Sequence, residues 1–227
     1  MSTQQFHSHR LVAAASALVL STAAWGDGTT TGKGELRDLA AQWWQWALSI
    51  PAPVSPLLDD TTGANCMVGQ RGPNWFLSGT FGGGTVSRTC SVPQGVTLFF
   101  PVVNAINFDT PGVCGQVGSL SVAELRGFSA DFINSIDKVT ATLDSKTVRP
   151  IQRVRSVVFA VALPEENIFD SDACSVPSKI YPRAVDDGYY VMVDDLGVGQ
   201  HVLQFTAKGA GFDLNVTYNL WVVAKDR

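Results

Sequence analysis

The stretch from Asn74 to Asn104, NWFLSGTFGGGTVSRTCSVPQGVTLFFPVVN, decides the fold class. Its first part alternates between apolar and polar residues, which is the two-residue period of β-strands. Three consecutive glycines, Gly82 to Gly84, separate two such segments and predict a hairpin with a glycine-rich turn. The last segment, Val96 to Asn104, is almost wholly apolar and predicts a strand that is buried on both faces.

The final third of the chain carries the same signal. KVTATLDSKTV (138–148) has a tight turn at Asp144-Ser145, and SVVFAVALP (156–164) is apolar and β-branched. GYYVMVDDLGVGQHVLQFTAKG (188–209) predicts a hairpin that turns between Asp194 and Gly199, and FDLNVTYNLWVVAK (212–225) predicts the closing strand. We therefore expect most of the chain to form β-strands.

Two segments depart from this period and predict helices. ELRDLAAQWWQWALSI (35–50) has an apolar stripe at helical spacing and ends before Pro51. Trp43 and Trp46 lie within the stripe and are expected in the core. Trp44 lies at its margin, where it either closes the edge of the helix contact or serves as an exposed aromatic platform for a ligand.

The second helix is expected over SVAELRGFSADFINSI (121–136). Ser121 stands three residues before Glu124, which is the spacing of a capping box at a helix start. Together these patterns predict a mostly β protein, an antiparallel β-sandwich of immunoglobulin-like or Greek-key type with two packed helices. We expect one domain over residues 27–227, with a division near residues 119–137 as the alternative.

The first 26 residues differ from the rest of the chain. Arg10 precedes the ten-residue apolar run LVAAASALVL, and small residues follow. This order is typical of a secretory signal peptide, and the run is too short for a bilayer, which requires about 20 residues. We therefore expect a signal peptide over 1–26 and a secreted or periplasmic protein without a membrane span. The formal charge of −4, without a basic stripe, argues against a nucleic-acid partner.

The four cysteines lie outside the leader, as expected for disulfides in an oxidising compartment. Three connectivities are open to four cysteines. We favour Cys66–Cys90, which closes a local loop, and Cys114–Cys174, which ties two loops rich in aspartate and proline.

The sequence lacks the residues and motifs that most catalytic and metal sites require. His201 is the only histidine outside the leader, and it follows a glycine turn at a strand start, which favours a structural role. No G-x-S-x-G motif and no zinc-ligand spacing is present. A hydrolase or lyase that acts on a polysaccharide through loop carboxylates stays open as the alternative function.

Two loops are rich in side-chain oxygens. One carries Asn104, Asn107 and Asp109, the other carries Asp170 and Asp172, and a Cys114–Cys174 bond would bring them together. Such residues build turns, and they are also the ligands that calcium prefers. We therefore name these five residues and Trp44 as candidate ligand-binding residues, with Asp109, Asp170 and Asp172 as candidate calcium ligands and no other cofactor.

Two resemblances bear on the class of protein. The segments WFLSGTFGGG, RTCSVPQG, LFFPVVN and DDGYYVMV resemble a group of uncharacterised exported bacterial proteins. The part that contains VTATLD and DDLGVGQHVLQFTAKG is similar to bacterial immunoglobulin-like domains. The resemblances imply export and a sandwich fold but bring no activity. Since no catalytic motif appears, we expect a non-catalytic exported protein that binds a glycan or another exported protein.

Overall fold

Ten strands and two α-helices make up the part of the chain that the computed structural model describes, residues 33–58, 60–171 and 173–224. The predicted signal peptide lies outside these residues. The helices are α1 (Lys33–Ser49) and α2 (Val122–Asn134), and a 3-10 helix spans Ala52–Val54. The strands are β1 (Asn74–Phe76), β2 (Gly84–Pro93), β3 (Thr97–Phe108), β4 (Ile136–Leu143), β5 (Lys146–Thr147), β6 (Gln152–Arg155), β7 (Phe159–Ala162), β8 (Ile180–Val193), β9 (Gly199–Gly209) and β10 (Phe212–Val223).

The strands form two five-stranded sheets. Sheet A has the order β1-β3-β8-β6, with β7 also paired to β8, and sheet B has the order β2-β10-β9-β4-β5. The two sheets share one apolar core, in which Phe100 of β3 stacks on Phe205 of β9 with ring centroids 5.0 Å apart. Helix α1 covers the opposite face of sheet A and forms a second core with it. Sheet A therefore lies between α1 and sheet B.

Helix α1 is confirmed, and all three of its tryptophans are buried. Trp43 and Trp46 are in the core as expected, and Trp44 is only 4% exposed, so it is not a surface platform. Each indole N–H donates a hydrogen bond. Trp43 donates to the carbonyl oxygen of Leu77 at 2.9 Å, Trp44 to Asp186 Oδ1 at 2.7 Å and Trp46 to the carbonyl oxygen of Val68 at 2.9 Å. Because each buried indole has a partner, the helix is held in one orientation on sheet A.

Helix α2 is also confirmed, together with its capping box. The backbone N–H of Ser121 donates to Glu124 Oε2, and the backbone N–H of Glu124 donates to the Ser121 hydroxyl. Leu125 and Ile133 bury the inner side of the helix against the sheets.

The hairpin predicted at Gly82 to Gly84 is wrong. All three glycines have positive φ angles, as the turn requires, but the strands on either side belong to different sheets. Strand β1 pairs with β3 and β2 pairs with β10, and both pairings are parallel, so the prediction of purely antiparallel sheets is also wrong. A glycine-rich turn can connect two strands of a hairpin or two strands in different sheets, because both connections need φ angles that other residues avoid.

The hairpin predicted over residues 188–209 is wrong for the same reason. Strand β8 lies in sheet A and β9 lies in sheet B, so the turn between them joins the two layers. The hairpin is instead formed by β9 and β10, which pair antiparallel over 11 positions. The turn at Asp144-Ser145 is confirmed, since it joins the paired strands β4 and β5.

The structure places the cysteines in the two pairs that the sequence favoured. Cys66 pairs with Cys90 and Cys114 pairs with Cys174, with Cα atoms 6.0 Å and 5.5 Å apart, respectively. The second pair joins the loop after β3 to the loop before β8. In the described part of the chain, no helix has the length and apolar character needed to cross a membrane.

Candidate functional site

Among the described residues, no strand pairs with part of one edge of sheet A. Strand β1 pairs with β3 only over residues 97–99, and the backbone N–H of Leu77 adds one more bond, to the carbonyl oxygen of Phe99. After Leu77 the chain turns toward sheet B, where Gly79 packs against Leu214 and Phe205. Beyond Phe99, β3 therefore pairs on one side only, with β8.

The backbone groups that face this open edge can be assigned from the pairing with β8. The N–H of Asp109 donates to the carbonyl oxygen of Arg183 on β8, so Asp109 faces β8. Successive residues of a strand face opposite edges, and the bulge between Pro101 and Val103 lies before this segment. The N–H and C=O groups of Asn104 and Ile106 therefore face the open edge, and none of them forms a hydrogen bond with a described residue.

This edge forms the floor of a cleft of about 400 Å³. Its walls come from both helices, from the loop 79–82, from the loop between β7 and β8 and from sheet B. They are mainly aromatic: Trp43, Trp44, Phe81, Phe132, Phe169 and Phe212. Phe81 is 49% exposed, and its ring lies 6.0 Å from that of Phe169. The size is within the range of small-ligand sites, about 300–1,000 Å³, and aromatic walls with few polar groups are typical of such sites.

A buried polar network supports the wall and the floor of the cleft. Asp186 of β8 has no solvent exposure and accepts hydrogen bonds from Trp44 at 2.7 Å and from the Tyr190 hydroxyl at 2.8 Å. The Tyr190 oxygen in turn contacts the Asn104 side-chain nitrogen at 3.0 Å. The network thus links α1 to β8 and β3 and fixes the rotamer of Asn104, whose backbone faces the open edge.

Burial also changes the ionisation of Asp186. Complete burial raises the pKa of Asp186 well above its usual range and outweighs the bonds from Trp44 and Tyr190, which favour the ionised form. Asp186 therefore keeps its proton to a higher pH than an exposed aspartate does.

The neighbouring residue, Asp187, has charged partners. It lies on the other face of sheet A and accepts two hydrogen bonds from Arg153, at 2.9 Å each, and one from Arg155 at 3.1 Å. Its side chain is 3% exposed. Asp187 is thus paired with two arginines, whereas the side chain of Asp186 is bonded to two neutral donors, Trp44 and Tyr190.

Two of the residues named from the sequence line the cleft. Trp44 contributes its indole to the wall and Asn104 contributes to the floor. The sequence left open whether Trp44 closes the edge of the helix contact or is an exposed platform, and the structure buries its indole against Asp186. Asn107 does not reach the cleft, because its amide donates to Ser129 of α2 at 2.8 Å.

Asp109 organises its own loop. Its carboxylate accepts hydrogen bonds from Gln116, Ser119 and the backbone of Leu120, and Arg183 lies 3.1 Å away. Burial opposes ionisation, but these hydrogen bonds outweigh it and lower the pKa of Asp109 below its usual value. Each carboxylate oxygen therefore already has two donors, and the cation Arg183 is one of the two at Oδ2.

Asp170 serves the second loop in the same way. It accepts from the Ser175 hydroxyl at 2.9 Å and from the backbone N–H of Val176 at 3.2 Å. Asp172 lies outside the described residues. Among the residues that are described, no group of three or more His, Cys, Asp or Glu side chains is placed to hold a metal ion, so the expected calcium site stays a prediction.

His201 has the structural role expected from the sequence. Its Nδ1 lies 2.8 Å from Asp144 Oδ2 and its Nε2 lies 2.9 Å from the carbonyl oxygen of Gly197, so it joins the β4–β5 turn to the β8–β9 turn. The bond to Asp144 raises the pKa of His201.

Sequence reasoning assigned no role to Asp186, which appeared only in the resembling segment DDGYYVMV, or to Tyr190, which was read only as part of a strand. A signal was present, since two adjacent aspartates inside an apolar strand run against strand preference and demand buried partners. The open edge of β3 had no sequence signal, because it depends on where β1 ends. Comparison of the chain with protein-family models, with curated proteins and with solved structures found no match.

Proposed function

We propose that this chain is an exported binding protein that captures an extended peptide segment of another exported protein by strand addition to β3. The observation that carries the proposal is the pair of unpaired backbone units, Asn104 and Ile106, on the floor of an aromatic cleft. Backbone N–H and C=O groups in apolar surroundings need hydrogen-bond partners. An added strand supplies them in the same alternating pattern.

The geometry favours a peptide over a glycan, the other partner expected from the sequence. Asn104 and Ile106 are two residues apart, so their backbone groups repeat at about 6.6–6.8 Å along the edge. An extended peptide has the same repeat and presents donors and acceptors alternately. The aromatic walls would accept its side chains, and aromatic side chains pair favourably with such rings.

Export is part of the proposal. Two disulfides are consistent with an oxidising, extracytoplasmic compartment. The relationship to exported bacterial proteins and the immunoglobulin-like character of the sandwich belong to the same proposal. The alternative of a polysaccharide hydrolase or lyase gains no support from the site, because the carboxylates of Asp109 and Asp170 already serve their own loops.

The test is a proline substitution on the open edge. Peptides are first selected on the mature protein from a random display library, and their affinities are then measured for Ile106→Pro and Ile106→Val. Proline removes the N–H that faces the cleft but no bond to β8, and edge positions tolerate proline, so the protein should still fold. We expect Ile106→Pro to bind at least roughly tenfold more weakly, since a lost backbone bond costs about 1–1.5 kcal/mol and the ring also obstructs the added strand.

Ile106→Val is the matched control, because it keeps the N–H and removes one methylene group. Its affinity should stay within about threefold of the wild type. Equal binding by the proline and valine variants, or a library that yields no peptide while a glycan panel yields a ligand, would contradict strand addition.

A further inference from the structure

A second pocket lies at the opposite edge of sheet A, where β6 meets the first turns of α1. Its volume is about 360 Å³, and its lining includes Arg37, Arg153 and Arg155. The pocket shares no lining residue with the aromatic cleft, so its role is independent of the function proposed above.

The positive charge around this pocket is not balanced. A fourth arginine, Arg126, lies beside it and donates to the carbonyl oxygen of Ser156 at 2.8 Å. Burial lowers the pKa of Arg126, and the charges of Arg37 and Arg155 lower it further. The Asp187 carboxylate pairs with two of these four arginines, Arg153 and Arg155, whereas the protein as a whole has a formal charge of −4. The excess of cations marks this surface as attractive to an anion.

The hydrogen bonds of the arginines leave two guanidinium ends free. Arg153 uses all three nitrogens, on Asp187 and on Asn134. Arg37 donates only through Nε, to the carbonyl oxygen of Arg155 at 3.0 Å, and Arg155 donates only through Nε, to Asp187 at 3.1 Å. The Nη groups of Arg37 and Arg155 form no hydrogen bond with any residue that the structure describes. Each side chain is thus anchored at Nε with its two outer nitrogens available.

We propose that this pocket binds a phosphate or sulfate group, either as the free ion or as an ester on a larger molecule. Each of the two anchored guanidinium groups keeps its outer nitrogens as donors, and a guanidinium is the group that oxyanions bind in bidentate fashion. A dianion would offset the excess charge of the four arginines.

The test is isothermal titration calorimetry of the mature protein with inorganic phosphate and sulfate, at constant ionic strength maintained with chloride. Arg37→Gln removes one free guanidinium and a single bond to a backbone carbonyl, so its melting temperature without anion should match the wild type. We expect it to bind the anion at least roughly tenfold more weakly, as for loss of hydrogen bonds to a charged group. Arg71→Gln is the control, because Arg71 is exposed and does not line the pocket.

Glucose 6-phosphate and glucose 6-sulfate distinguish the two sources of the anion. Tighter binding of an ester than of the matching inorganic ion assigns the site to an ester, and equal or weaker binding assigns it to the free ion. No heat of binding from any of the four compounds, or equal losses in Arg37→Gln and Arg71→Gln, would overturn the proposal.

Discussion

The outer edge of β2 is covered by another segment of the chain, whereas part of the outer edge of β3 is not covered by any described residue. The edge of β2 is covered by the segment 60–66: the backbone N–H of Thr89 donates to the carbonyl oxygen of Thr62 at 2.8 Å, and Gly63 lies so close to Thr89 that a side chain would not fit. The Cys66–Cys90 disulfide holds this cover in place. Over Asn104 and Ile106, the edge of β3 has no such cover.

Strand β2 carries a second protective feature. Arg88 points inward, is 1% exposed and donates to the carbonyl oxygens of Asp60 and Ser78. Inward-pointing charges and covering loops are common means of preventing unwanted strand pairing. A protein that covers one edge so thoroughly and surrounds the other with aromatic rings leaves the second edge available for a partner.

The largest expected effect comes from uncovering β2. Replacing Cys66 and Cys90 together with alanine should reduce the free energy of unfolding by about 2–5 kcal/mol, because the disulfide no longer restrains the unfolded chain. It should also speed hydrogen exchange at the Thr89 amide, which loses its fixed partner. Urea unfolding and amide exchange measure the two effects.

The second disulfide provides the control for that experiment. Replacing Cys114 and Cys174 with alanine should also destabilise the protein. The exchange of the Thr89 amide relative to global unfolding should not change, because this disulfide lies on other loops. If both double variants affect Thr89 alike, the loop 60–66 does not act as a specific cover.

A smaller effect is expected from Asp186→Asn, which tests the network behind the open edge. The pKa of Asp186 is higher in the folded protein than in the unfolded chain. Below about pH 4 the residue is therefore protonated in both states and does not lower the free energy of unfolding. Between that pH and the folded pKa, the free energy of unfolding falls by about 1.4 kcal/mol per pH unit. Asparagine resembles the protonated acid and avoids this loss. The variant should therefore match the wild type near pH 4 and become relatively more stable as the pH rises.

Asp187→Asn is the matched comparison for this measurement. It removes the carboxylate that pairs with Arg153 and Arg155, so it should destabilise the protein at neutral pH instead of stabilising it. A stability difference for Asp186→Asn that falls as the pH rises would show that Asp186 is ionised in the folded protein.

Local features of the fold were predictable from the sequence, but strand partners were not. The capping box at Ser121 and the apolar stripe of α1 depend on neighbouring residues, and both helices are where these signals indicated. The turns at Gly82–Gly84 and Asp194–Gly199 were recognised as turns but read as hairpins. A turn constrains the backbone only locally, whereas pairing is decided by contacts between distant segments such as β2 and β10.

The candidate site was predictable only in part, for the same reason. Asn104 stood out as a polar residue at the end of an apolar strand. The open edge beside it arises because β1 is three residues long and β3 is twelve, and no pattern within β3 encodes that difference.

The most direct test of the central claim is amide hydrogen exchange along β3, followed by NMR. We predict that the amides of Asn104 and Ile106 exchange at least about 100-fold faster than those of Ala105 and Asn107, which face β8. Addition of a selected peptide should then protect Asn104 and Ile106 and leave the other two unchanged. Protection of Asn104 and Ile106 in the free protein, or no change when the peptide binds, would contradict strand addition at this edge.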